Sequence, residues 1–373
     1  MSVPLDRIRT AALHAQAELA DATTPLLRNA WYVAALAGEV TRQPLARRLL
    51  DIPVMLYRRQ DGSAVALEDR CAHRSFPLSR GQIVGDSVVC GYHGACYGAD
   101  GRCTQVPSQA RVPPGAVVRH FPLHEAGALV WIWPGNPVLA DTALVPAQPW
   151  MADAGWTSST ERLHLRASHV RLHENLLDLT HLSFLHAESF GTPDYASAPF
   201  ETVVDEAAGR FSLHRTVAPT RLPPLWAVPT GLGGVDAARV VTSSFLSPAL
   251  HVVAVKFYAC ALPEHAQPAR AIRTAHLVTP ESATRTHYFI QHARNFALDD
   301  ADITSFMHQQ LLLAFQEDVD GLEAIETLLA GYRERQPEIS FHADKASLAM
   351  RRWLLRQAAQ EATASVPPLS CGG

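Results

Sequence analysis

The sequence lacks the features that mark membrane, nucleic-acid-binding and dinucleotide-binding proteins. No apolar run approaches the ~20 residues that a membrane-spanning helix needs. The 32 Lys and Arg residues do not exceed the 36 Asp and Glu residues, and the net charge of −4 argues against nucleic acid as a partner. No Gly-x-Gly-x-x-Gly motif follows a strand, so the chain carries no fingerprint for NAD or a flavin. With 47% hydrophobic and only 18% charged residues, a disordered chain is also excluded.

Cysteine is scarce, at six residues in 373. Residues 1–22 alternate charged and apolar side chains, which predicts an amphipathic helix rather than a signal peptide. We therefore expect a cytoplasmic protein whose cysteines are free thiols or metal ligands rather than disulfides. Histidine is abundant by contrast, and several of the 18 histidines lie close to cysteines or carboxylates. This distribution indicates metal binding.

The length of the chain predicts two domains. Short β-type runs separated by turns fill the first region, including a hairpin around Asp61-Gly62 and a strand at 128–133. A proline-rich stretch at 137–150 marks the boundary. The second region mixes predicted strands at 239–245, 252–259 and 286–291 with predicted helices at 302–332 and 346–361. The predicted order is a helical extension at 1–28, an all-β domain at 29–137, an α+β domain at 150–362 and a flexible tail at 363–373.

Two cysteine–histidine pairs, Cys71–His73 and Cys90–His93, stand sixteen residues apart in the first region. Ordinary buried residues would explain one such pair but not two matching ones. Structural zinc sites usually pair Cys with Cys and His with His, whereas each pair here contains one of each. This arrangement favours a Rieske [2Fe–2S] cluster, in which two cysteines hold one iron and two histidines the other. Cys96 and Cys103 lie outside both loops and are expected to be free thiols.

A second candidate metal site lies in the segment 173–186. Asp178 and His181 would be neighbours on an α-helix. His181 and His186 are five residues apart, which separates them by about 140° on a helix that turns about 100° per residue. They share a metal only if the helix ends or widens between them, as a π-type turn would do. The alternative is one buried and one surface histidine.

A carboxylate ligand is predicted on the helix at 302–332. One face of this helix carries an apolar stripe that consists of Leu311, Phe315, Leu322, Ile325 and Leu329. Asp318 fills the gap in this stripe between Phe315 and Leu322, so it is predicted to face the core, whereas Glu317 and Asp320 are predicted to point to solvent. A carboxylate facing a core is costly unless it is paired or binds a metal, and a two-histidine, one-carboxylate site leaves positions open on non-haem Fe(II). The alternative is a boundary residue at the helix edge.

These residues together resemble the Rieske non-haem iron oxygenases, from about Asn29 to Glu361. The resemblance is to the subgroup of vanillate O-demethylase, dicamba O-demethylase and toluenesulfonate methyl-monooxygenase. The motifs that carry it are Asn29-Ala30-Trp31-Tyr32-Val33, Cys71-Ala72-His73-Arg74, Cys90-Gly91-Tyr92-His93-Gly94, Asn175–His181 with His186, and Glu317-Asp318 with Leu322-Glu323-Ala324.

The resemblance implies a ligand set and a fold. The implied cluster ligands are Cys71, His73, Cys90 and His93, and the implied ligands of a mononuclear Fe(II) are His181, His186 and Asp318. It also implies that Asp178 bridges His181 to His93 of the partner subunit in a head-to-tail homotrimer. The implied fold is α+β, with an all-β Rieske [2Fe–2S] domain at 29–137 followed at 150–362 by a helix-grip-like catalytic domain, an antiparallel β-sheet flanked by helices.

The implied function is that of a terminal oxygenase, which uses O2 to hydroxylate or O-demethylate a small aromatic substrate, preferably an aromatic acid. A separate NAD(P)H-dependent reductase with a flavin and an iron–sulfur centre would supply electrons. A ring cis-dihydroxylating dioxygenase is the alternative within the family, and a Rieske-type electron carrier or a redox sensor are alternatives from other classes. We expect residues between Phe200 and Phe296 to line the pocket, with His276, His287 and His292 as candidate polar contacts; the alternative for these histidines is a position on a sheet face.

Overall fold

The computed structural model describes residues 5–364, which form two compact units. One unit comprises Leu26–Ala147 with the short segment Thr279–Ser282, and the other comprises the chain up to Pro25, Gln148–Val278 and the chain from Ala283 onward. Most of the predicted tail at 363–373, including Cys371, lies outside the described residues. No helix within residues 5–364 is both long and apolar enough to cross a membrane.

The unit that contains Leu26–Ala147 is built of short β-strands, as predicted. In chain order the strands are β1 (Tyr32–Leu36), β2 (Leu45–Leu49), β3 (Ile52–Arg58), β4 (Ala64–Glu68), β5 (Gln82–Val84), β6 (Ser87–Val89), β7 (Cys96–Tyr97), β8 (Cys103–Gln105), β9 (Leu123–Ala126) and β10 (Leu129–Ile132). They form three antiparallel sheets, ordered β1–β10–β9, β2–β3–β4 and β5–β6–β7–β8. The predicted hairpin is the β3–β4 pair, and Gly62 in its turn has a φ of 85°, which glycine adopts without steric cost.

The second unit is an α+β structure built on one large sheet. Its elements are α1 (Leu5–Ala17), β11 (Thr157–Leu165), α2 (His169–Leu177), β12 (Phe200–Asp205), β13 (Arg210–Thr220), α3 (Pro224–Thr230), β14 (Ala237–Ser247), β15 (Leu250–Ala259), β16 (Arg270–Ser282), β17 (Arg285–Arg294), α4 (Ala301–Ala330) and α5 (Lys345–Ala364). The seven strands pair in the order β11–β17–β16–β15–β14–β13–β12 in an antiparallel sheet. Helix α2 packs on β14, α4 on β11, and α5 on β12 and β13. The predicted antiparallel sheet flanked by helices is therefore confirmed.

The apolar stripe of α4 packs into the core over most of its predicted length. Leu311, Phe315 and Leu322 belong to the main core cluster of this unit, and Asp318 between them is only 5% exposed. The prediction is wrong for Ile325, which is 43% exposed. The buried part of the stripe ends at Leu322, because the last turns of α4 extend past the core cluster.

The segment after α1 is tied to α5. The Ala20 N–H donates to the carbonyl oxygen of Arg351 at 3.2 Å, and Arg351 Nε donates to the Ala20 carbonyl oxygen at 2.7 Å. Asp21 pairs with Arg335 at 2.9 Å, and the Leu19 side chain is buried. The N-terminal extension is therefore part of the unit that contains the large sheet.

Candidate metal centres

Two loops with the same backbone geometry carry the predicted cluster ligands. In each loop the cysteine N–H (Cys71 or Cys90) donates to the carbonyl oxygen five residues later, at 2.9 Å. The residue four positions after the cysteine donates back to the cysteine carbonyl oxygen, at 2.9 Å from Ser75 and 3.0 Å from Gly94. These two residues have positive φ angles, 56° and 74°. The sequence spacing is thus matched by two equivalent tight turns.

The donor atoms of these loops fit a Rieske cluster. Cys71 and Cys90 are each 2% exposed, whereas His73 and His93 are exposed, with their ring centroids 4.7 Å apart. Burial, with a contribution from a hydrogen bond to the Cys71 thiol, raises the pKa of the Cys90 thiol, so the two sulfurs are neighbours. Two buried sulfurs and two solvent-facing imidazoles are the donors that two irons bridged by sulfide require.

Tyr97 also belongs to this centre and was not predicted from the sequence. Its hydroxyl oxygen lies 3.2 Å from Cys71 Sγ and accepts a hydrogen bond from the Ala72 N–H at 3.2 Å. Burial, then the hydrogen bond with Cys71, raises the pKa of Tyr97, so the phenol keeps its proton and would donate a hydrogen bond to Cys71 Sγ once that sulfur is a metal-bound thiolate. Cys96 and Cys103, on β7 and β8, are free thiols, as expected.

The segment that carries the two candidate iron-binding histidines changes conformation twice. Helix α2 ends at Leu177, and the Asp178 carboxylate accepts a hydrogen bond from the Thr180 N–H at 2.9 Å at the start of a 3-10 helix, Leu179–Ser183. His181 lies in the 3-10 helix, and His186 lies in the turns that follow it. The helical conformation therefore ends between the two histidines without a π-type turn in this segment.

His181, His186 and Asp318 come together, with one ligand atom of each within 4.8 Å of the others. Nε2 of His186 lies 3.1 Å from Asp318 Oδ1, and Nε2 of His181 lies 3.6 Å from the same oxygen. Asn175 Nδ2 donates to this oxygen as well, at 3.0 Å. The carboxylate predicted from the periodicity of α4 thus faces the two histidines of the other segment.

The electrostatics of this cluster suit a divalent cation. Burial raises the pKa of Asp318, but hydrogen bonds from His186 and Asn175 and the potential of His181 lower it by more, so the carboxylate is ionised at neutral pH. Burial lowers the pKa of His181, whose neutral imidazole keeps a lone pair for a metal. Two imidazoles and one carboxylate are the donor set of non-haem Fe(II) sites with open positions, and these residues fit that ion.

Glu317 does not point to solvent, so this prediction from the sequence is wrong. Its Oε2 lies 2.7 Å from His186 Nδ1 and accepts a hydrogen bond from Ser189 Oγ at 2.7 Å. The loop that carries His186 and Ser189 folds against the flank of α4, a contact that helical periodicity alone does not reveal. Asp320 is exposed, as predicted, and accepts a hydrogen bond from Gln316 Nε2 at 2.7 Å.

Asp178 lies beside His181, but its carboxylate is not what holds the ring within this chain. His181 Nδ1 contacts the main-chain carbonyl oxygen of Asp178, and the Asp178 carboxylate caps the 3-10 helix. A neutral imidazole that donates from Nδ1 presents Nε2 as a ligand. The main chain at Asp178 therefore orients His181 toward Asp318.

The candidate iron ligands line a cavity. Its apolar walls are Leu176, Leu179, Leu182, Phe190, Trp226, Val241, Val253, Val255, Ile272, Leu311 and Phe315. Arg239, Thr274 and His276 add polar groups, and His276 Nδ1 contacts the hydroxyl of Tyr288. Of the three histidines expected in the pocket, His276 lines this cavity, while the buried His292 lies behind the wall, 2.9 Å from Thr274 Oγ1. His287 is not among the lining residues.

The two donor sets define a class of protein, one that combines a Rieske-type cluster site with a separate two-histidine, one-carboxylate iron site. The Rieske [2Fe-2S] domain family matches residues 30–122, and the family described as the vanillate O-demethylase oxygenase C-terminal domain matches residues 165–360. The chain belongs to the Rieske non-haem iron oxygenases.

Individual relatives agree with this assignment. The putative toluene-4-sulfonate monooxygenase system iron-sulfur subunit of Comamonas testosteroni is 35% identical, over 88% of this chain and 96% of that protein. The dicamba O-demethylase oxygenase component of Stenotrophomonas maltophilia is 34% identical, over 80% and 88% of the two chains. Among solved structures, dicamba monooxygenase bound to 3,6-dichlorosalicylic acid matches with a TM-score of 0.83 and 29% identity, over 91% of this chain and 99% of that chain.

The chain is therefore an iron-dependent oxygenase with a [2Fe–2S] cluster and a mononuclear iron, as the sequence resemblance implied. Its fold is that of the dicamba monooxygenase structures, including one described as containing non-haem iron. The match at 165–360 covers a catalytic domain that an electron carrier would not need. The electron-carrier alternative is left without support.

Proposed function

We propose that this chain is the terminal oxygenase of a multi-component system, which hydroxylates or O-demethylates a small aromatic substrate. The observation that carries this proposal is the cavity lined by His181, His186 and Asp318 on one side and by apolar and aromatic side chains elsewhere. The names of the relatives, which refer to toluene-4-sulfonate, dicamba and vanillate, support an aromatic substrate. When bound, the cluster supplies single electrons and the mononuclear iron supplies a binding site for O2.

The chain's own residues position the substrate. The Phe190 ring stacks on the His186 imidazole, with centroids 4.6 Å apart, and meets the Trp226 ring edge-on at 5.9 Å. An aromatic substrate would pack on these rings and exclude water from the ligand side of the cavity. For a methyl ether, insertion of one oxygen atom into a methyl C–H bond gives a hemiacetal-like product, which loses formaldehyde and leaves the phenol. The second oxygen atom of O2 leaves as water, with two electrons and two protons supplied from outside.

The electrons come from a separate NAD(P)H-dependent reductase with a flavin and an iron–sulfur centre. The absence of a dinucleotide-binding motif from the sequence supports this part of the proposal. The proposal also includes a cytoplasmic location, because cysteines that serve as metal ligands and free thiols favour a reducing compartment.

The test of this function combines metal content with product analysis. The purified protein should hold about three iron atoms per chain, two in the cluster and one mononuclear. With a reductase, NADH and aromatic methyl ethers, it should release formaldehyde. Under labelled dioxygen, one labelled atom in the hydroxymethyl product of an aryl-methyl substrate such as toluene-4-sulfonate supports monooxygenation, whereas two in a ring diol would indicate a cis-dihydroxylating dioxygenase. A protein with about two iron atoms and no substrate-dependent oxygen uptake would contradict the proposal.

The proposal includes a role for Asp178 between subunits. In a head-to-tail homotrimer, its carboxylate would accept a hydrogen bond from His93 of the partner subunit, while its main chain holds His181. Asp178→Asn should then keep both metal sites and the trimer but suppress turnover, because the amide does not replace the charged acceptor. Asp320→Asn, which changes an exposed carboxylate bonded to Gln316, is the matched control. Full activity of Asp178→Asn, or a monomer in sedimentation experiments, would contradict this role.

A further inference from the structure

A buried arginine faces the cavity from the large sheet. Arg239, on β14, is 3% exposed and lines the same cavity as the candidate iron ligands. Its Cζ lies 5.0 Å from the ring centroid of Tyr195, 5.6 Å from that of Phe190 and 5.7 Å from that of Trp226. The guanidinium group is thus a cation enclosed by aromatic rings.

The protein leaves this guanidinium with few hydrogen bonds. Nη1 donates to the Phe190 carbonyl oxygen at 3.2 Å, and the buried Nε has no partner. Two other buried arginines of the same unit, Arg294 and Arg351, are better satisfied. Arg294 donates to three main-chain carbonyl oxygens and a threonine hydroxyl, and Arg351 donates to a main-chain carbonyl oxygen and pairs with Glu174 at 2.7 Å. Arg239 is therefore not explained as a structural cross-link of the same kind.

The charge of Arg239 is also uncompensated at close range. Among the described residues, no carboxylate lies within the ~4 Å of an ion pair. Burial lowers the pKa of Arg239, and Tyr195 and Asp194 offset only part of that effect. Arginine nevertheless stays protonated, and a buried cation without a counter-charge is costly. The cavity therefore favours a ligand that brings a negative charge.

The position of the arginine suits a small aromatic ligand. One face of the cavity wall is formed by Phe190, whose ring centroid is 4.6 Å from that of His186 and 5.6 Å from Cζ of Arg239. The Phe190 ring thus lies between the candidate iron ligand His186 and the guanidinium group of Arg239 and is close to both. A molecule with one aromatic ring can therefore place an anionic group at Arg239 and a substituent at the iron side of the same cavity.

We infer that Arg239 binds the anionic group of the substrate, a carboxylate or sulfonate on an aromatic ring, and so selects anionic over neutral aromatics. This inference rests on the proposed oxygenase function and specifies its substrate. A guanidinium offers N–H donors in a planar fork that matches such an oxyanion. The anion supplies a counter-charge and hydrogen-bond acceptors beyond the Phe190 carbonyl oxygen, which is the acceptor that the described residues provide.

The test measures binding rather than turnover. Anaerobic calorimetry on the holoenzyme compares 4-methoxybenzoate and toluene-4-sulfonate with the neutral 4-methoxybenzamide. At least one anion should bind roughly 10- to 100-fold more tightly than the amide, as expected for charge-assisted hydrogen bonds in a buried site. The stronger of the two anions then identifies the oxyanion. Equal binding of anions and amide would overturn the inference.

Variants separate the role of Arg239 from a general effect on folding. Arg239→Met should reduce anion binding to the level of the amide while the cluster spectrum and the iron content stay intact. Arg215→Met is the matched control, because Arg215 on the neighbouring β13 is 2% exposed, lies 4.9 Å from the Tyr195 ring and also has an unpartnered Nε, but does not line the cavity. It should retain the preference for anions. A preference that survives in Arg239→Met, or is lost equally in Arg215→Met, would refute the inference.

If Arg239→Met does not fold, Arg239→Lys takes its place in the test. A lysine keeps the charge but not the planar fork, so it should weaken anion binding severalfold without abolishing it. Unchanged binding would count against Arg239.

Two further results keep the inference separate from the proposed function. Efficient demethylation of neutral ethers without preference for anions would support the oxygenase function and refute the role of Arg239. Anion binding that depends on Arg239, without any oxidised product, would support Arg239 and refute the proposed function.

Discussion

Removal of the Glu317 carboxylate is the sharpest test of how the mononuclear iron site is held together. Glu317 Oε2 lies 2.7 Å from His186 Nδ1, and Ser189 Oγ donates to the same oxygen at 2.7 Å. An imidazole that binds a metal through Nε2 carries its proton on Nδ1, and a carboxylate that accepts this proton fixes both the tautomer and the ring orientation. Glu317→Ala should therefore weaken iron binding although it removes no ligand.

The expected size of this effect follows from the contact. A hydrogen bond to a charged group contributes about 1.5–3 kcal/mol. The Glu317 side chain is 30% exposed, so water screens the interaction and the lower end of that range applies. A loss of about 1.5 kcal/mol corresponds to roughly tenfold weaker iron binding. Glu317→Gln keeps a neutral acceptor, and since charge-assisted bonds are about twice as strong as neutral ones, it should lose only about threefold.

The assay is competition with a chelator for Fe(II) under anaerobic conditions, with the visible spectrum of the cluster as an internal control. Asp320→Ala removes an exposed carboxylate of the same helix that accepts a hydrogen bond from Gln316, and it should leave the iron affinity unchanged. Wild-type affinity in Glu317→Ala, or an equal loss in Asp320→Ala, would refute the argument that Glu317 acts through His186.

Two further predictions concern the two centres separately. Tyr97→Phe should lower the reduction potential of the cluster, because it removes a hydrogen bond to a cysteine sulfur at 3.2 Å; a redox titration that gives the wild-type potential would contradict this. Gly191→Ala should cause loss of the mononuclear iron. A Cβ at position 191 would lie 1.7 Å from the Leu182 carbonyl oxygen and 2.9 Å from the His186 carbonyl oxygen, so the loop that carries His186 must shift. Metal analysis should then give about two rather than three iron atoms per chain with the cluster spectrum intact; three would count against the prediction.

The sequence predicts those parts of the two centres that depend on local patterns. The cluster loops are local because each cysteine and its histidine lie within one tight turn, so the spacing alone indicates the donor set. Asp318 is predictable because the period of an amphipathic helix decides which side chain faces the core. The same rule fails at Ile325, since periodicity identifies a face but not how far along the helix that face stays covered.

Other contributions depend on tertiary contacts and were missed. Glu317 is offset from the buried stripe, and it meets His186 only because a loop with no regular period folds against α4. Burial of Arg239 could have been predicted from the strand pattern. Alternate residues of a strand point the same way, and Arg239 shares one face of β14 with the buried residues Ala237, Val241 and Ser243. A charged residue in such a series indicates a partner from outside the strand.

The link between Ala20 and Arg351 bears on how this enzyme can be divided. The polypeptide enters the large-sheet unit, leaves it for the strand-rich unit and then returns, so the catalytic half does not correspond to one continuous stretch of coding sequence. A fragment that starts at Gln148 would leave Arg351 without its Ala20 acceptor and would uncover the surface on which Leu19 is buried. Truncations designed from family boundaries alone would cut away a structural component, so shortened versions should retain the chain through Pro25.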